Sequence, residues 1–179
     1  MKALPTKYAW LEAEPGPKML RAAIALHGTK EFVGPSHNPA ILGWAREIGE
    51  PGYSSDEIAW CGLFVGICAH RAGWDARPKG NALWARNWAH WGNPADHPML
   101  GDVLVFPRGA GGHVALYVGE DATHFHILGG NQGNVVSIVR KPKAPLIACR
   151  RAPWRSVQPA NVRRVLLSAA GTPASGSEA

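Results

Sequence analysis

The spacing of hydrophobic positions changes along the chain. In residues 18–26, Met19, Leu20, Ala23, Ile24 and Leu26 recur at helical intervals, and His27-Gly28 ends the run. A loop rich in glycine and proline follows, then a second helical stretch, residues 40–48, stopped by Gly49 and Pro51. A third stretch, residues 60–69, is apolar on nearly every side and closes at Gly73, which predicts a buried helix. Within it Gly62, Gly66, Ala69 and Gly73 form a face almost without side chains. A glycine inside a helix costs about 1 kcal/mol relative to alanine, so this face predicts the close approach of another backbone, expected to be a sheet.

After Pro98 short segments rich in β-branched residues alternate with turn signals. They predict strands at residues 102–106, 113–119, 125–128, 135–139 and 146–149. On the second strand Val114, Leu116 and Val118 share one face, and His113, Ala115 and Tyr117 the other. The linkers are too short for helical crossovers, so the sheet is antiparallel, and helices followed by sheet make an α+β domain. Trp84, Trp88 and Trp91 fall at i, i+4 and i+7, one face of a helix, and read as core before they read as a sugar-stacking platform. Residues 1–152 are expected to form the domain, and residues 153–179 a basic tail, disordered past Gly171.

Composition narrows this picture. With 179 residues, 46% hydrophobic and 18% charged, the chain suits one soluble domain with its own core. Its 21 glycines and 15 prolines, about a fifth of the chain, exclude an all-helical bundle. The net charge of +6 suggests an anionic partner: nucleic acid, a membrane surface or a bacterial wall. The charge is unevenly placed, since no Asp or Glu occurs between residues 122 and 177, where eight bases lie. The expected contact with an anionic envelope surface is residues 162–169, which carry Arg163 and Arg164. The bases are not interleaved with aromatics in a recognisable nucleic-acid motif, so no nucleic acid is expected, and the chain is expected to act as a monomer. Residues 1–11 contain no apolar stretch of secretory type. The expectation is therefore a protein made in the cytoplasm that reaches the wall through release by another protein.

Of the three cysteines, Cys61 stands out. A thiol at the N-terminus of a buried helix lies near the positive end of the helix dipole, which favours the thiolate; the alternative is simple packing. Cys61 and Cys68, seven residues apart on one helix, are about 10 Å apart, too far for a disulfide. His113 opens a strand after Gly111-Gly112 and is a candidate base, with Ala115 beside it leaving room for the thiol helix to pack over that face. The Asn131-Gln132 turn offers an amide to hold the imidazole. His124 and His126 share a strand face but have no third ligand beside them, so no metal or other cofactor is expected.

Three blocks occur in order: Asp56-Glu57-Ile58-Ala59-Trp60-Cys61-Gly62-Leu63-Phe64-Val65, then Gly112-His113-Val114-Ala115, then Leu128-Gly129-Gly130-Asn131-Gln132. They resemble the CHAP-like cysteine hydrolases of the wider NlpC superfamily, which are papain-like enzymes that cut peptidoglycan, many of them phage endolysins. Gly28-Thr29-Lys30-Glu31 and Asn38-Pro39-Ala40-Ile41 resemble one phage-associated branch. The resemblance covers roughly residues 20–152. It implies a papain-like fold, Cys61 as nucleophile, His113 as general base, and an amide bond of peptidoglycan as substrate. Many members carry a glutamate at the third position, where this chain offers only amides; Asn131 is the first choice for orienting His113 and Gln132 the reserve. Asp56, Trp60 and Gln132 are the residues expected to touch substrate, although capping of the cysteine helix is the first expectation for Asp56 and Glu57. Two other classes fit the same features: a non-catalytic wall- or nucleic-acid-binding module, and a secreted cysteine-dependent amidase toxin.

Overall fold

The computed structural model describes residues 2–174. Three helices come first: α1 (Lys18–Ala25), α2 (Pro39–Glu47) and α3 (Cys61–Arg71). Asn38 caps α2 by accepting from the Ala40 N–H at 2.9 Å, with Pro39 preorganised at the first helical position. α3 ends where Gly73 turns to φ 80°, and the Trp74 N–H returns to the Ala69 carbonyl. Two 3-10 segments flank these helices, Thr6–Ala13 and Ala85–His90.

Six strands follow: β1 (Asn93–Pro94), β2 (Val103–Arg108), β3 (Gly111–Glu120), β4 (His124–Gly129), β5 (Ser137–Pro142) and β6 (Ala148–Arg151). They form one antiparallel sheet in the order β1-β6-β2-β3-β4-β5. The α+β class and the five expected strands are present, each shifted by a few residues. The two-residue β1 carries no alternation that could have announced it.

Alternation divides the sheet into two faces. Val103, Val105, Val114, Leu116, Val118 and Leu128 pack with the three helices in the main core. Leu104, Phe106, Ala115, Tyr117, Phe125 and Ile127 form a second cluster on the opposite face. The thiol helix therefore packs over the Val114 face, not the Ala115 face as expected.

The bare face of α3 also meets a different neighbour. A Cβ on Gly62 would lie 2.2 Å from the Ala82 carbonyl oxygen and 2.6 Å from that of Leu83. The approaching backbone is thus the irregular segment leading into the second 3-10 segment, not a strand. That segment is fixed from outside by Trp88 Nε1, which donates to the Ala82 carbonyl, and by Glu50, which accepts from the Ala82 N–H.

The tail is a further correction. Val162, Val165 and Leu167 are buried, and the Glu120 N–H and carbonyl bond to the backbone of Val165 and Leu167. Gly119 makes this docking possible, since its Cβ would collide with Leu167 at 2.4 Å. Gly171 is buried against Tyr8, and Leu167 pairs with Pro173. The expected disorder beyond Gly171 concerns residues 172–179, of which 175–179 lie outside the described residues and 172–174 are ordered against 166–168. Among the described residues no helix is long and apolar enough to cross a membrane.

Candidate active site

Cys61 is the first residue of α3 and is buried at 2% exposure. It borders a cavity of about 140 Å³ whose other walls include Leu83, Trp84, Arg108 and the Gly111-Gly112 pair that leads into His113. A Cβ on Gly112 would meet Arg86 at 3.1 Å and the Phe106 carbonyl oxygen at 3.2 Å, so the bare glycine lets the hairpin end pack closely on the second 3-10 segment.

His113, on β3 opposite Phe106, is buried at 4% exposure. Its Nε2 lies 3.0 Å from Gln132 Oε1. The side-chain N–H₂ of Gln132 donates to the Ser137 carbonyl at 2.5 Å and the Gly129 carbonyl at 3.2 Å. Those two acceptors fix which end of the amide faces the ring. Nε2 therefore carries the proton and Nδ1 keeps its lone pair, and Nδ1 is buried without a hydrogen-bond partner. A base whose other nitrogen is held by an amide oxygen is what general-base catalysis requires.

The slot that admits Gln132 is made by small residues. A Cβ on Gly129 would sit 2.8 Å from Ala115 Cβ and 3.0 Å from Gln132 Oε1. Ala115 is small to make room for the orienting amide, not for the helix. Next to it, a Cβ on Gly130 would strike Trp60 and Phe64 at 2.7 and 2.6 Å, so the turn carrying Gln132 rests on the first turn of the cysteine helix.

Burial drives the His113 pKa from 6.5 down to about 4; the hydrogen bond to Gln132 opposes this, and the charges of Arg108 and Lys141 reinforce it. The imidazole is neutral at neutral pH, and its burial disfavours the protonated form. Arg108 thus lines the cavity with Cys61 and also acts on His113.

The remaining expected site residues are placed otherwise. Asn131 does not reach His113: it adopts φ 54° in the turn, and among the described residues its side chain makes no hydrogen bond. Gln132, one bond longer and one residue on, does the orienting, and its polar atoms are committed to that task instead of to substrate. Asp56 is fully buried and accepts from the N–H groups of Phe32 and Asn38 and from His37 Nδ1 at 2.8–3.0 Å. Burial alone would raise its pKa, but these donors outweigh it and hold the carboxylate below its ordinary range. Asp56 is a clamp on the loop between α1 and α2, neither a helix cap nor a substrate contact; α3 begins after Trp60 without a side-chain cap. Trp60 is fully buried and donates Nε1 to Glu31 at 3.0 Å, so it also cannot touch substrate.

Trp84 was missed by periodicity. Residues 85–90 are a 3-10 helix, which stacks Trp91 over Trp88 and turns Trp84 away by about 120°. Trp88 and Trp91 are core, whereas Trp84 is 50% exposed on the wall of the Cys61 cavity. His126 has both ring nitrogens engaged: its Nδ1 meets the Tyr8 hydroxyl at 2.7 Å and its Nε2 meets Asp121 at 3.0 Å. Arg140 grips Asp121 through two nitrogens, and Asp121 is held far below the ordinary carboxylate range, by that bond first.

No protein-family model matches the chain, and no curated protein matches it in sequence.

Proposed function

We propose that this chain is a papain-like cysteine hydrolase of bacterial peptidoglycan, cutting an amide bond and serving as a phage-type endolysin. The observation that carries the chemistry is the fixed tautomer of His113. Gln132 holds its Nε2–H, and the buried Nδ1 keeps a free lone pair. The choice of peptidoglycan rests on the resemblance of the three sequence blocks to CHAP-like enzymes.

The reading requires Cys61 Sγ to meet His113 Nδ1, a contact not made among the described residues, where Nδ1 has no hydrogen-bond partner, so the two must approach when substrate binds. Nδ1 takes the thiol proton as Sγ attacks the amide carbonyl. The N–H groups of the first turn of α3 face the developing oxyanion, where the helix dipole is positive. The new imidazolium protonates the departing amine, leaving a thioester. His113 then takes a proton from water, hydroxide adds to the thioester, and the acid is released with Sγ reprotonated. Trp84 and Arg108 offer the entering chain an aromatic face and a cation.

The test is clearance of purified bacterial sacculi. Cys61→Ala should abolish the loss of turbidity while leaving circular dichroism unchanged, and mass spectrometry of the muropeptides released by the unaltered protein should show one new amine end. Clearance by Cys61→Ala at the normal rate would overturn the reading.

A further inference from the structure

A cleft walled by two tryptophans lies far from Cys61, at the opposite end of α3. Ten residues separate Cys61 from Arg71, about 15 Å along a helix axis, and the cleft begins at Ala72-Gly73. It measures about 480 Å³, within the range of small-ligand sites. Its walls bring together three distant parts of the chain: the turn before α1, the end of α3, and the segment after β6.

Two indoles form its apolar surface. Trp74 and Trp154 meet edge to face, with ring centres 5.5 Å apart and planes at 82°. Pro17 and Pro159 extend the apolar wall.

The polar side of the cleft is cationic. Lys18 and Arg155 line it, both exposed, and among the described residues neither makes an ion pair. No Asp or Glu is part of its wall, and Glu14, just before it in sequence, is taken by Arg163 at 2.9 Å. Lys18 is also the first residue of α1, so the positive end of that helix dipole faces the same region.

We infer that this cleft is a second, non-catalytic site for an anionic saccharide. The apolar C–H face of a sugar ring packs against the indoles, and a carboxylate lies between Lys18 and Arg155. A proline-rich peptide would use the aromatic wall but leave both cations unmatched, and a neutral sugar would leave them unmatched as well. The site is independent of the proposed hydrolysis and moves the contact with envelope polymers from Arg163 and Arg164 to this cleft.

Titration of the full chain with N-acetylmuramic acid and with its neutral counterpart N-acetylglucosamine, followed by indole N–H resonances, tests this. The acidic sugar should shift the Trp154 resonance, identified by its absence in Trp154→Phe, and bind at least tenfold more tightly than the neutral one. Lys18→Gln with Arg155→Gln, both surface changes, should remove that preference while leaving sacculus clearance by the Cys61 site measurable. No shift at Trp154, equal binding of the two sugars, or a preference that survives the double substitution would each overturn the inference. So would a proline-rich peptide binding here more tightly than the acidic sugar.

Discussion

Gln132 decides how His113 works, and the amide makes a specific pH behaviour follow. As a neutral acceptor it supports the protonated ring only weakly, so burial prevails and the pKa stands at about 4. The acid limb of kcat/KM is therefore expected near pH 4, with activity maintained well into mildly acidic conditions. Gln132→Glu would place a carboxylate at Nε2 and move that limb upward by a unit or more, whereas Gln132→Leu would release the ring and cut kcat/KM by roughly 10²-fold. A limb unmoved in Gln132→Glu would exclude His113 as the base. Stability follows the same shift. Between about 4 and 6.5 the unfolded chain binds a proton at this histidine that the folded chain refuses. The contribution is thus complete above 6.5 and is lost as pH falls towards 4, and thermal melts should show the midpoint dropping across that window. The placement of Cys61 at the start of a buried helix and of His113 near the start of a strand was legible from the sequence, through the apolar run after Trp60 and the Gly111-Gly112 turn. The choice between Asn131 and Gln132 was not, because it depends on Gly129 and Ala115 leaving a slot across two strands.

At the scale of elements, the buried helix was visible from its composition, and its glycine face correctly announced a close backbone. What approaches that face could not be read, because an irregular segment has no periodicity to betray it. Gly62 is where the contact is tightest, with carbonyl oxygens on two sides of any added methyl group. Gly62→Ala should cost about 1–3 kcal/mol, the usual range for overpacking, which for a domain of this size lowers Tm by several degrees. Gly52→Ala is the control, since its Cβ would meet nothing within 4 Å and the position needs no positive φ. Calorimetry should find Gly52→Ala neutral or slightly stabilised. Equal melting of the two variants would mean that the 82–83 segment yields freely and does not hold the helix. The same segment carries Leu83 and Trp84 to the Cys61 cavity, so the loss in Gly62→Ala should be accompanied by weaker substrate binding.

For the whole molecule, the uneven charge is a consequence of topology more than a surplus aimed outward. Five of the eight bases in the acid-free stretch pair with acids from the first 121 residues. Arg140 meets Asp121, Arg151 meets Asp102, Arg163 meets Glu14, and Lys143 and Arg164 both meet the buried Glu120. Long-range pairing of this kind leaves no local trace, and so residues 153–179 looked like a detachable tail. In the fold, residues 161–174 close one end of the sheet. Ending the chain after Ala160 would strip Val162, Val165 and Leu167 from the core, each worth about 1.5–3 kcal/mol when fully buried, and would leave Glu120 with Lys143 alone. The truncated protein should unfold at markedly lower temperature or fail to fold, and should lose sacculus clearance through instability. Arg164→Ala removes only one partner of Glu120 and should cost far less. If the truncated chain melted like the full one, residues 161–174 would be an appendage after all, and the internal pairing of the basic residues would contribute nothing to the stability of the domain.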